Sequence, residues 1–387
     1  MSDDRDQNNR LEDWLACRPG RRGDPGGWWL WPHASRPKLM IPVDRDTWPG
    51  ALQMASHSRR TAVDKWRLPW RSLSGASPDL SQDAVSPLDR VLEQQWPGAK
   101  FHYAVYFGTE SVFAKDTIQI QGPAGAVLGY LRVPRGRKAA GSIARERDVL
   151  LELAGIYPEG AFFPRMLPVP GLAVQGPPPA EVGGLPGPTR AVGRLAREIH
   201  DSAAVSLAWS ESPVRESLKQ RHAGLEDQVD PVWSASLGRS IEVLDRAFSG
   251  RQVPHGRGHG DFVPWNLRET TAGLFAFDWE WSRPALPFSD LFHFLWFPML
   301  AKRRFSIKGL VAAWNGGAGR LLVDGFGQIP ADPHDNVWAL AYVADRFSFY
   351  SASCLENGDD PMSHRFIRRL HALLNSAELQ PVPRDFP

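Results

Sequence analysis

Apolar and polar positions change their rhythm twice along the chain. Between Phe101 and Val133, the runs "FHYAVYF", "DTIQIQ" and "AVLGYLRV" are short and rich in β-branched and aromatic residues, with turn-prone "GTES" and "GPAG" between them. Side chains that fit a pleated surface, broken at hairpin-length intervals, predict three antiparallel strands. The period then lengthens. "GSIARERDVLLELAG" sets Ile143, Leu150, Leu153 and Ala154 at helical spacing, with Gly155 as the stop. "FFPRMLPV" and "GLAVQ" predict two more strands before "GPPPAEVGGLPGP", whose proline and glycine density forbids a regular element.

Beyond that loop the helical period dominates. Val192, Leu195, Ala196 and Ile199 form one stripe, Val337, Leu340, Ala341 and Ala344 a second, and Phe366, Ile367, Leu370 and Leu373 a third. A small antiparallel sheet with one helix, a tight linker and a helical remainder predict an α+β chain in two lobes. The expected boundaries are 1–95 for an accessory extension, 96–176 for the sheet-bearing lobe and 177–387 for the helical lobe. The extension is rich in Trp, Pro, Arg and Gly with weak periodicity; within it "PKLMIPV" reads as a strand and "WPGALQMA" as a short helix. No repeat at a fixed period is present.

Composition narrows the class. A 387-residue chain with 42% hydrophobic and 23% charged residues is that of a soluble globular protein. A net charge of +2 without a dense basic stripe argues against a nucleic-acid partner. Cys17 and Cys354 are too few for a disulfide framework or a zinc ribbon, so a reducing cytoplasm is expected. The charged start "MSDDRDQNNRLEDW" lacks the apolar core of a signal peptide. No apolar run approaches the ~18 residues of a membrane span; "LFHFLWFPMLA", interrupted by Pro298, reads as a buried helix. The basic residues are lopsided, eight Lys against 37 Arg.

Chemistry concentrates in "HGDFVPWNLRETTAGLFAFDWEW", His259 to Trp281, where Asp261, Asn266 and Asp278 stand among aromatic residues. Carboxylates are costly to desolvate unless paired, hydrogen-bonded or bound to a cation. "NLRET" and "LFAFDW" read as a hairpin around "TAG". That puts Asp261 on the preceding loop, Asn266 at the start of one strand and Asp278 at the end of the other. An amide oxygen and a carboxylate returned to each other suit Mg²⁺, which takes oxygen ligands. Asp261 would be free to accept a proton from an acceptor hydroxyl. A purely structural carboxylate cluster is the alternative. A metallohydrolase built on His255, His259, Asp261 and His293 is weaker, because Gly256, Gly258 and Gly260 break any helix that would give zinc spacing.

"HGDFVPWN" followed by "FDWE" resembles the aminoglycoside phosphotransferase and choline kinase-like superfamily, small-molecule kinases that share the two-lobed protein kinase fold. The resemblance runs over about residues 100–380 in element order and is specific between 259 and 293. It implies that Asp261 is the catalytic base or positioning carboxylate, and that Asn266 and Asp278 are the Mg²⁺ ligands. His259 falls on the backbone-bracing histidine, Asp290 in "PFSDLFHF" on the aspartate that steadies the catalytic loop, and Glu280 on a bracing position. The superfamily's phosphate clamp is a strand Lys paired with a helix Glu. Glu146 matches the Glu, but "YLRV" offers Arg132 in place of the Lys, with Lys115 and Lys138 nearby as substitutes. Arg stays charged but presents a planar fork rather than a compact ammonium. "FGTESVFAK" would cover the phosphates, and backbone groups of Val174 and Gln175 would hold the adenine. The implied function is Mg²⁺-dependent transfer of the γ-phosphate of ATP or GTP to a hydroxyl of a small molecule. The alternative is a pseudokinase, a nucleotide-binding or interaction module in which Arg132 has ended efficient catalysis. The acceptor pocket is expected in the C-terminal lobe, where "LENGDD" would suit a cationic substrate.

Overall fold

The computed structural model describes residues 86–379 except 110, 161, 330 and 331, together with four strand segments before them. The chain divides into two compact units, Met1–Glu159 with Phe163–Pro178, and Gly160–Phe162 with Pro179–Pro387.

The first unit is organised by β5 (His102–Tyr106), β6 (Lys115–Gln121) and β7 (Val127–Pro134), which form an antiparallel meander. Their alternation puts Tyr103, Val105, Ile118, Ile120, Leu131 and Val133 into one core. Four short strands precede them: β1 (Cys17–Pro19), β2 (Trp28–Trp31), β3 (Leu39–Pro42) and β4 (Leu80–Gln82). β3 pairs with β5 through Leu39↔Tyr106 and Met40↔Val105, and Leu39, Met40 and Ile41 are buried. The extension therefore continues the same sheet, whose order among the described residues is β1-β4-β2-β3-β5-β6-β7-β8. The strand expected in "PKLMIPV" is β3; the helix expected in "WPGALQMA" lies outside the described residues. α1 (Pro87–Leu92), held by a Ser86/Asp89 capping box, adds Leu88 and Leu92 to the core.

α2 (Arg137–Ile156) buries Ala139, Ile143, Glu146, Leu150 and Leu153. It passes the expected stop at Gly155 and ends at Tyr157, which precedes Pro158 and takes the non-helical φ −121, ψ 74. The two strands expected next are largely missing. "FFPRMLPV" contributes only a bridge from Met166 to Gln175, and "GLAVQ" shrinks to β8 (Val174–Gln175). Pro164, Pro168 and Pro170 have no N–H to give a ladder, so the segment cannot pair as a regular strand.

The second unit is helical around small sheets. α3 (Arg190–Asp201) buries the expected Val192, Leu195, Ala196 and Ile199. β9 (Val205–Ala208), α4 (Pro213–Leu225) and α5 (Pro231–Ala247) lead to β10 (Gln252–Gly258). β11 (Leu267–Thr270) and β12 (Gly273–Ala276) form the expected hairpin, and β13 (Arg283–Ala285) returns to pair with β10. α6 (Ser289–Ala301) is the buried helix expected from "LFHFLWFPMLA", with Pro298 inside it. α7 (Ile307–Asn315) and α8 (Gly317–Phe326) follow, then α9 (Asn336–Glu356) and α10 (Arg365–Leu374). α9 is buried over most of its length, with Tyr342 stacked on Phe292 of α6 at 5.6 Å. No described helix is long and apolar enough to cross a membrane.

Candidate active site

The loop from His259 to Val263 follows β10 and is fixed by its backbone. Gly260 has φ +86, and a Cβ there would lie 2.0 Å from the Trp281 carbonyl oxygen, so only glycine fits. Asp290, in the first turn of α6, accepts the His259 N–H at 2.7 Å and the Gly260 N–H at 3.4 Å. The His259 ring donates from Nε2 to the Phe277 carbonyl at 2.7 Å and accepts the Asp261 N–H on Nδ1 at 3.3 Å. Arg346 of α9 donates to the Gly260 carbonyl at 2.7 Å. Every one of these contacts holds main chain in place. His259 and Asp290 are thus both brought onto the loop that carries Asp261.

The hairpin delivers the remaining polar groups. Leu267 faces Ala276, and beyond that pair the Phe277 N–H donates to the Asn266 carbonyl at 2.9 Å. Asp278, the next residue, adopts the left-handed φ 57, ψ 60 that aspartate tolerates better than most residues. Its carboxylate is close enough to Asp261 for its charge to oppose ionisation there. Glu280 lies half-buried in the turn after it.

Asp261 itself is gripped from both sides. Asn266 Nδ2 donates to Asp261 Oδ2 at 2.8 Å and to its carbonyl at 3.0 Å. His293 Nε2 donates to Oδ1 at 3.1 Å. Burial pushes the Asp261 carboxyl up, but hydrogen bonding, led by the His293 ring, outweighs it, and the group titrates below the usual aspartate value. It is a carboxylate at neutral pH. With Asn266 Nδ2 committed to Asp261, the amide oxygen is what Asn266 has left to offer a cation. That oxygen and the Asp278 carboxylate are the oxygen donors from the hairpin that could serve a hard cation such as Mg²⁺.

Of the histidines weighed for a zinc-type site, His259 and His293 both meet Asp261, whereas His255 has partners of its own. His255 is 2% exposed, with Nε2 on Ser212 Oγ at 2.7 Å and Nδ1 on the Val253 carbonyl at 2.8 Å. Among the described residues no group of three or more His, Cys, Asp or Glu side chains is placed to hold a metal.

In the first unit, Arg132 on β7 faces Thr117 in register and donates to its Oγ1 at 3.1 Å. Glu146 on α2 is 1% exposed. Lys115 opens β6 opposite Pro134, and Lys138 lies exposed over the Phe113 ring at 6.0 Å. Val174 and Gln175 pair with Leu131 and Tyr130, and the Val174 carbonyl accepts the Leu167 N–H at 2.8 Å.

The profile of the phosphotransferase enzyme family matches residues 115–322, more than half of the chain. The chain belongs to that family. That membership agrees with the resemblance of the His259–Trp281 motifs to the aminoglycoside phosphotransferases, and the chain has the expected mixed α+β make-up. Solved structures resemble it at a distance. A choline/ethanolamine kinase family protein from Mesorhizobium loti is 17% identical over 71% of this chain and 89% of its own, with a TM-score of 0.47. Choline kinase LicA from Streptococcus pneumoniae is 16% identical over 72% and 89%, at 0.45. The GDP complex of aminoglycoside 2'-phosphotransferase-IIIa is 14% identical over 75% and 96%, at 0.46. No curated protein matches the chain.

Three residues at the site were not foreseen in their structural roles. His293 entered only as a candidate zinc ligand, and Tyr342 and Arg346 not at all. One signal was available: Asp345-Arg346 is a charged pair inside an otherwise apolar helical stripe, and such a pair needs a buried reason.

Proposed function

We propose that the chain is a cytoplasmic, Mg²⁺-dependent kinase that moves the γ-phosphate of ATP or GTP to a hydroxyl of a small molecule. The observation that carries this reading is the Asp261 carboxylate, ionised and held by one neutral donor on each oxygen, beside a hairpin that returns Asp278 to Asn266. Phosphoryl transfer asks a protein mainly for positioning and charge neutralisation. Asp261 accepts a hydrogen bond from the acceptor hydroxyl, orients its lone pair and takes its proton as the bond to the γ-phosphorus forms and the bond to the bridging oxygen breaks, releasing the nucleoside diphosphate. His259, Asp290 and Glu280 serve as support, the first two by holding the backbone under Asp261. Asn266 through its amide oxygen and Asp278 through its carboxylate would hold Mg²⁺, which when bound neutralises phosphate charge. Arg132 and Glu146, with Lys115 beside them, are the proposed phosphate clamp, and backbone groups of Val174 and Gln175 the adenine contact.

The test pairs two variants. Asp261→Asn should bind nucleotide as the wild type does and turn over ~10²–10⁴-fold more slowly. Asp278→Ala should lose the Mg²⁺-dependent part of the thermal shift given by ATP or GTP. A near-wild-type kcat in the first, or an unchanged shift in the second, removes that residue from the mechanism. Arg132 favours a second reading, the pseudokinase, because an arginine fork replaces the compact ammonium of the clamp.

A further inference from the structure

His293 stands three residues after Asp290 on α6, so one helical face meets the catalytic loop twice. Asp290 takes the loop's amides, while His293 reaches the Asp261 carboxylate. The His293 side chain is fully buried, and its other nitrogen, Nδ1, lies 3.1 Å from the Tyr342 hydroxyl of α9, itself 2% exposed. The partners fix the protons. A carboxylate oxygen only accepts, so Nε2 carries the hydrogen; Nδ1 of the neutral ring then accepts the Tyr342 O–H. Burial drives the His293 pKa down to about 4 and pushes the Tyr342 phenol well above its ordinary value, so the ring stays neutral and the phenol stays a donor.

Together with Asn266, this leaves Asp261 with one fixed donor on each oxygen and no freedom to turn about its terminal torsion. A hydrogen bond from only one side would let the carboxylate rotate and would redirect the lone pair meant for a hydroxyl. We propose that His293 is a positioning residue for Asp261, with Tyr342 setting its tautomer, so that the chain Tyr342–His293–Asp261 aims the carboxylate at the acceptor. The proposal rests on the phosphotransferase reading of Asp261.

The assay is phosphate release from Mg²⁺–ATP with water as acceptor, which needs no identified substrate, together with a denaturation midpoint for each variant. His293→Leu removes both hydrogen bonds; kcat should fall ~10²-fold, the scale of an ~1 Å misplacement, with KM for ATP changing by less than about threefold. His293→Gln can present an amide donor where Nε2 stood, and should recover most of the lost kcat even if its midpoint is no higher than that of His293→Leu. Tyr342→Phe, which removes the hydroxyl that meets His293 Nδ1, should lower kcat severalfold with KM unchanged. Equal kcat in His293→Leu and His293→Gln would mean that packing, not the donor, matters, and would overturn the proposal, as would a kcat for His293→Leu near the wild type. Nitrogen-15 NMR of histidine-labelled wild type supplies a readout without turnover: the Nε2-protonated tautomer is expected at His293, and the Nδ1-protonated form refutes the chain. A wild type that releases no phosphate would count against the kinase reading, while the tautomer would still decide whether His293 holds Asp261.

Discussion

Removing the Asp290 carboxylate should unseat the loop that carries Asp261, and the cost can be worked from its two bonds. Asp290 is 7% exposed, and it takes the N–H of His259, itself fully buried, and that of Gly260, also buried. Asp290→Ala leaves both donors without their acceptor, at ~1–3 kcal/mol for each buried group left unsatisfied. The 3.4 Å bond is the weaker, so the sum falls at about 3–5 kcal/mol. For a unit of this size that is a fall in Tm of roughly 6–20 °C. Asp290→Asn keeps an oxygen for the 2.7 Å bond and turns an amide nitrogen towards Gly260, so it should cost only about 1–2 kcal/mol. The order Asp290→Ala below Asp290→Asn below wild type is the signature of hydrogen-bond acceptors. Differential scanning calorimetry reads it directly, and kcat should follow the same order because Asp261 rides on the loop. A Tm for Asp290→Ala within 2 °C of the wild type, with kcat intact, would refute this account of the loop.

Asp345, clasped by Arg283 at 2.7 Å and Arg221 at 2.8 Å with Arg346 at 3.5 Å, should be among the costliest positions to neutralise. Asp345→Asn leaves three arginines around an uncharged amide, and urea denaturation should show a loss of about 3–5 kcal/mol. Stability should also depend on pH through His293: burial holds its folded pKa at about 4, below the ordinary 6.5. The neutral ring is then favoured in the folded state, so its contribution is complete above pH 6.5, declines as pH falls towards 4 and is flat below, a span on the order of 3 kcal/mol. Equal slopes for wild type and His293→Gln across that window would sink the assignment. Arg132→Lys distinguishes slow kinase from pseudokinase: it should raise turnover, or confer ATP binding measured by calorimetry on an inert protein. If instead Lys115→Ala abolishes binding while Arg132→Lys changes nothing, the clamp is Lys115.

What the sequence made legible was local. The meander of β5 to β7 follows from a period of two broken by turn residues, and the hairpin follows from two short runs around Thr271-Ala272-Gly273. Register then does the rest, because a pairing of Leu267 with Ala276 leaves Asn266 opposite Phe277 and Asp278 next in line. Prolines hid the failure of "FFPRMLPV": its apolar content reads as a strand, whereas the ladder needs amides that Pro164 and Pro168 lack. The strands before residue 95 span three or four residues each, too few for alternation to show. The bracing of the site was illegible for a different reason. His293 reaches Asp261 across 32 residues, Tyr342 reaches His293 across 49, and Arg346 reaches Gly260 across 86. No periodicity carries contacts of that separation; they appear only once α6 and α9 are packed.

Two half-buried carboxylates of the second unit, Asp261 and Asp345, are set in opposite surroundings. Asp345 is ringed by guanidinium groups, and although burial alone would raise its pKa, Arg283, Arg221 and Arg346 drive it far below the ordinary range. Its oxygens are occupied by charged donors, and an added hydroxyl would have to compete with two close ion pairs. Asp261 meets only neutral donors, an amide and an uncharged imidazole, one on each oxygen. Neutral bonds fix direction without cancelling charge, so the second lone pair on each oxygen stays attractive to a hydroxyl or its proton. Its side chain is also 29% exposed against 17% for Asp345, which leaves a path for an acceptor to reach it. A carboxylate kept only to knit the core would gain more from the arginine arrangement, or from replacement by an apolar residue. The backbone beneath Asp261 is buried at His259 and Gly260, while the carboxylate proposed to meet substrate is held firmly, left charged and left open.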